Sequence, residues 1–68
     1  MEIYVIKNQK DLEKHKDEYG YHIEGNAEFE FTAEFIGRLL VDGYLLIEVG
    51  EFIEAGGYIK AGGSIEAG

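Results

Sequence analysis

The sequence predicts a mainly β chain: a short parallel β-solenoid of about 2.5 coils, each of three hexads, behind an N-terminal strand–helix cap. Three observations carry this. From Ile23 onward the chain repeats every six residues, a period that marks parallel β-helices. Position one of the hexad is Ile23, Phe29, Phe35, Val41, Ile47, Ile53, Ile59 and Ile65, apolar in all eight units. Glycine recurs at positions three and four, where corners between short strands need a permissive backbone, and no proline interrupts the run.

The elements follow in order. Glu2–Lys7 is rich in β-branched and aromatic residues and reads as a strand. Asn8 is a good helix N-cap, with Asp11 near the positive end of the helix dipole. The spacing predicts a helix from Gln9 to about Glu18, stopped by Gly20. Its apolar face is thin, mainly Leu12 and Tyr19, so it must lie on the first coil. This divides the chain into a cap, residues 1–22, and a solenoid, residues 23–68.

Eighteen residues per coil would stack Ile23, Val41 and Ile59 in one internal column. Phe29, Ile47 and Ile65 would form a second, Phe35 and Ile53 a third, and Phe31, Val49 and Ala67 a tapering fourth. Late hexads, from Gly50, approach a simple I-(E/K)-A-G-G-(Y/S) formula. No capping segment follows the last hexad, so its open edge is expected to pair with another subunit, unless the chain is part of a longer solenoid.

Composition narrows the possibilities. A chain of 68 residues forms one small domain, burying only about 60% of its unfolded surface. With no cysteine, a disulfide framework is excluded, and with only His15 and His22 a zinc site of the usual kind is not expected. Self-association is the remaining common remedy. Net charge is −8, of which −7 lies in residues 23–68, where nine acids face Arg38 and Lys60. Such a surface disfavours nucleic acid and anionic membrane and favours basic partners. Neither a signal peptide nor an apolar run of spanning length appears, so the expected compartment is the cytoplasm, that of the host if a phage encodes the chain.

Two constellations stand out. Eighteen-residue coils would align Glu30, Glu48 and Glu66 as a carboxylate ladder, with Glu54 on a neighbouring row and Glu24, Asp42 and Lys60 as a mixed ladder. Like charges about 5 Å apart repel. Such a ladder either imitates a phosphate backbone for a basic partner or is the solvated outer face of any solenoid. Leu40, Leu46, Phe52 and Tyr58 share hexad position six and form either a patch for a partner or a surface covered by the cap. Ile65 lies on the open last coil. No Ser-His-Asp or Cys-His arrangement assembles, and the recurring Gly-Gly pairs are corners, not a phosphate loop. No catalytic residue, metal site or cofactor is expected.

The hexads resemble left-handed hexapeptide-repeat β-helices at positions one and two, and depart from them at position five in Leu39, Leu45 and Glu51. The stretch I-E-A-G-G-Y-I-K-A-G-G-S looks like bactofilins, polymer-forming bacterial β-helices that associate end to end. It is similar also to Gly-rich solenoid proteins of phages and prophages. The resemblance implies either an anti-CRISPR-type inhibitor of host defence or a structural unit. The leading expectation is a non-enzymatic acidic binding module that works as an oligomer and mimics nucleic-acid charge toward a basic protein. The second is a bactofilin-like scaffold stacked end to end, or a fragment of one.

Overall fold

A computed structural model describes residues 1–68. The elements are β1 (Ile3–Ile6), α1 (Gln9–Glu13), β2 (Lys16–Asp17), β3 (Gly20–Ile23), β4 (Asn26–Phe29), β5 (Ala33–Phe35), β6 (Arg38–Val41), β7 (Leu45–Ile47), β8 (Ile53–Ala55), β9 (Ile59–Ala61) and β10 (Ile65–Ala67). They wind into a parallel β-solenoid of about three turns. Its three sides are the sheets β1-β4-β7-β10, β2-β3-β6-β9 and β5-β8. Every pairing is parallel except β2 with β3. No helix is long and apolar enough to cross a membrane.

Alternation within each short strand explains the runs of three aliphatics. Leu39 and Val41 point inward and are buried, with Leu40 outside between them. Leu45 and Ile47 do the same around Leu46. The buried core is Ile6, Leu12, Tyr21, Ile23, Ala27, Phe29, Ala33, Leu39, Val41, Leu45 and Ile47. All of it lies in the cap and the first two coils. In the third coil Ile59 is half-buried and Ile65 exposed.

The internal columns differ from the expected ones below the second coil. Between the first and second coils the register is eighteen residues, as Tyr21↔Leu39 and Ala27↔Leu45 show. Between the second and third it is twenty, as in Leu39↔Ile59 and Leu45↔Ile65. Ile23 and Val41 therefore continue into Ala61, not Ile59. Phe29 and Ile47 continue into Ala67, not Ile65. Phe35 sits above Ala55, and Ile53 lies beneath Ala33. Val49 leaves the interior altogether at 76% exposure. The two extra residues lie in the corner between Ile47 and Ile53, where Gly50 adopts φ +87° and the Glu51 amide donates to the Glu48 carbonyl at 3.0 Å. Thr32 in the coil above braces this corner: its Oγ1 donates to Glu51 Oε1 at 2.8 Å and accepts from the Phe52 amide at 3.3 Å.

The helix is also shorter than predicted, ending at Glu13 rather than near Glu18. Asn8 caps it as expected, accepting from the Asp11 amide at 2.9 Å. Beyond it, Lys16 and Asp17 turn back antiparallel to Tyr21 and Gly20. The competing bonds are strong ones: Asp17 accepts from the Tyr19 amide at 2.9 Å and from Arg38 Nη2 at 2.7 Å. Charge-assisted bonds of this kind outweigh one more turn of exposed helix. Gly20 is thus a strand residue, at φ +139°, where an added Cβ would collide with the Arg38 carbonyl oxygen. The boundary drawn at residue 22 falls inside β3, so the first coil begins at Gly20. Leu12, fully buried, closes the top of the core. Tyr21 Oη donates to Glu13 Oε2 at 2.6 Å and accepts from Gln9 Nε2 at 3.1 Å, fastening the helix to that coil.

Candidate functional site

The β1-β4-β7-β10 sheet carries an outward row in which Val5, Glu28, Leu46 and Glu66 lie side by side. Its construction is simple alternation: Glu28 stands between inward Ala27 and Phe29, and Leu46 between inward Leu45 and Ile47. Just past these strands, at the corner, Glu30 lies one rung above Glu48. The Glu30 amide donates to the Ile6 carbonyl at 2.8 Å, the Glu48 amide to Phe29 at 2.9 Å and the Gly68 amide to Ile47 at 2.8 Å, so the next rung holds Gly68.

The backbone thus sets Glu30 one rung above Glu48, the adjacency that the sequence predicts, and Glu66 does not join them. The two-residue slip moves Glu66 to the middle of β10, next to Leu46. Glu54 stands beside Glu34 on the β5-β8 sheet, a second like-charged pair. The mixed ladder is likewise rearranged. Lys60 lies beside Leu40, with His22 beyond it, and the His22 ring reaches Asp42 Oδ1 at 2.8 Å.

The Glu30–Glu48 corner opens into a groove of about 250 Å³, lined by Glu28, Glu30, Leu46, Glu48 and Val49. Glu28 is held by the Tyr44 hydroxyl, which donates to its Oε2 at 2.7 Å; that carboxylate raises the Tyr44 pKa. Neither Glu30 nor Glu48 makes an ion pair. The groove therefore has an apolar floor and an uncompensated acidic rim. No three acidic or histidine side chains converge so as to hold a metal ion.

The four residues at hexad position six do not form one patch. Leu46 belongs to the acidic groove. Leu40 and Tyr58 line a second groove of about 520 Å³ with Tyr19 and Arg38. Phe52, half exposed, sits at the inserted corner beside Thr32. Ile65, 52% exposed, lies on the lowest rung.

Sequence reasoning missed Val49, which it assigned to the interior, and Tyr44 as the group that orients Glu28. A signal for the first existed. Hexad position five is apolar in Ala27, Ala33, Leu39 and Leu45, then becomes Glu51, while position three becomes Ala from Ala55 onward. The inward pair thus shifts from positions five and one to positions one and three.

No family model, curated protein or solved structure matches the chain.

Proposed function

We propose that the protein acts by binding, offering the Glu28–Glu30–Glu48 corner to a basic segment of another protein. The observation that carries this is the stacking of Glu30 over Glu48, without a counter-charge, beside the exposed aliphatics Leu46 and Val49. Two carboxylates one strand spacing apart, about 4.8 Å, repel each other, and an arriving cation relieves the repulsion. An arginine suits both parts of the groove: its guanidinium meets the carboxylates and its stem covers the aliphatic floor. A partner whose natural ligand is a phosphate backbone carries such arginines. The finer reading is therefore a non-enzymatic inhibitor, of the phage anti-defence type, that occupies a basic nucleic-acid channel in the host cytoplasm.

The end-to-end scaffold is the weaker reading. Continued parallel stacking requires two alike ends, and here Leu12 of α1 seals the core at the head and β2 runs antiparallel there.

The test is titration of the protein with an arginine-rich peptide, read by fluorescence anisotropy over a salt series. Affinity is expected to fall as salt rises. Glu30→Lys and Glu48→Lys are each expected to weaken binding about tenfold, and Glu66→Lys by much less. Unchanged affinity in the Glu30→Lys/Glu48→Lys double variant sinks the proposal.

A further inference from the structure

The β2-β3-β6-β9 sheet carries the second groove, on a different side of the solenoid from the acidic corner. Tyr19 stands on the first coil and Tyr58 on the third, 66% and 57% exposed. Arg38 lies between them on the second. Its amide donates to the Tyr19 carbonyl at 3.1 Å, and the Leu39 amide donates to the Tyr58 carbonyl at 2.9 Å, so the three occupy successive rungs. Glycines hold the rest of the groove open. Gly37 lies beneath Tyr19, where an added Cβ would meet the Tyr19 carbonyl oxygen at 2.7 Å, and the Gly57 amide donates to the Gly37 carbonyl at 2.7 Å.

The tyrosines divide into two kinds. Tyr4, Tyr21 and Tyr44 each donate the hydroxyl to a glutamate of this chain. The remaining two, Tyr19 and Tyr58, have no such partner, and both line this groove. They present exposed rings and free hydroxyl donors on one face.

We propose that the groove binds a proline-rich segment of another protein in the polyproline II conformation, laid along the solenoid axis with prolines three residues apart on the two tyrosines. Spacing carries the argument. Two rungs at about 4.8 Å set the tyrosines about 9.6 Å apart along the axis. One turn of polyproline II is three residues and about 9.3 Å, so residues i and i+3 fall on the same face at that spacing. An extended strand returns to a face every two residues, about 6.8 Å, and its residue i+3 points away. A helix reaches about 10.5 Å at i+7, but it sets residues i+3 and i+4 against Arg38, which fills the space between the tyrosines.

The lining fits the same occupant chemically. Its one charge, Arg38, is already matched by Asp17, so the groove suits an uncharged ligand on a chain of net charge −8. No carboxylate or carboxamide side chain lines it; the polar groups are the two phenols and the Arg38 N–H donors. Proline offers a carbonyl and no N–H, so its backbone needs donors alone. A sugar, whose hydroxyls donate as well as accept, lacks its usual carboxylate or amide partner here. Flat aromatic grooves of this kind recognise a preformed, low-entropy segment. This surface is separate from the acidic corner, so either proposal can fail alone.

The experiment is amide chemical-shift titration of the isotope-labelled chain with an acetylated, amidated peptide of four Pro-Ala-Ala repeats. Shifts are expected at Tyr19, Gly37, Arg38, Gly57 and Tyr58, with the Glu30 and Glu48 amides unmoved. A capped peptide of three Pro-Ala-Ala-Ala repeats, with the prolines four apart, should bind about fivefold more weakly. Tyr19→Ala and Tyr58→Ala should each weaken binding about tenfold. Tyr19→Phe and Tyr58→Phe should each weaken it about threefold, through the lost hydroxyl alone. Should an alanine variant fail to fold, the phenylalanine variants, which keep the rings, still decide the matter. Affinity should hold steady as salt rises, unlike that for an arginine-rich peptide. Any of four results overturns the proposal: no shifts with the proline peptide, equal binding of the four-spaced control, affinity unchanged in all the tyrosine variants, or the same amides moved by maltohexaose instead.

Discussion

Arg38 Nη2 donates to Asp17 Oδ2 at 2.7 Å, joining the antiparallel cap strand to the second coil across β3. Its Nη1 donates to the Tyr21 carbonyl at 3.1 Å, and its guanidinium lies 5.8 Å from the centre of the Tyr19 ring. One side chain thus ties together the turn, the first coil and the second.

The pH dependence of this joint has a definite sign. The Asp17 carboxyl is held below its ordinary pKa, foremost by the Tyr19 amide and further by Arg38, against the opposing effect of partial burial. A depressed carboxyl contributes stability that is complete above its unfolded pKa, about 3.9, and is lost as pH falls through the lower folded value. The melting-temperature gap between the parent and Asp17→Asn should therefore be steady from about pH 8 to 5 and close below about pH 4. A gap of constant size down to about pH 2 would show that ionisation of Asp17 contributes nothing.

Leu12 is the helix residue that seals the core, with no exposed surface. Leu12→Ala should cost about 2–5 kcal/mol, the transfer term plus the cavity left behind. Urea denaturation at neutral pH measures it. A loss under about 1 kcal/mol would mean that the helix only rests on the coil and does not close it.

Gly20 and Gly50 both have positive φ, for different reasons. Around Gly50 nothing lies within 4 Å of an added Cβ, so Gly50→Ala should cost only the backbone strain, about 1–2 kcal/mol. At Gly20 an alanine would add a collision with the Arg38 backbone to that strain. Gly20→Ala should therefore lower the melting temperature well beyond Gly50→Ala. Equal melting temperatures would refute the close approach of β3 to β6.

The slip between coils explains where sequence reasoning stopped. Strand side chains alternate with period two, so a shift of one residue would turn the core outward and be conspicuous. A shift of two keeps Ile47, Ile53 and Ile59 inward and leaves the six-residue period unbroken. The pattern of apolar residues is nearly blind to it. Yet this shift decides that Glu66 stands beside Leu46 rather than under Glu48. The shorter helix has a similar origin. Gln9–Glu18 has ordinary helix propensity, but Asp17 finds a better partner in Arg38, 21 residues away. Propensity is local, and this competition is not.

Periodicity and composition were enough to establish the parallel solenoid, the strand and helix that cap it, the acidic character of the coils and the inward place of hexad position one, which buries Ile23, Phe29, Val41 and Ile47. Each segment carries that information within itself. Which carboxylates meet, where the helix ends and which apolar side chains share a groove were settled only in the folded chain. Those depend on register between coils, and register is set by the length of a corner and by contacts such as Thr32–Glu51 that span a full turn of chain.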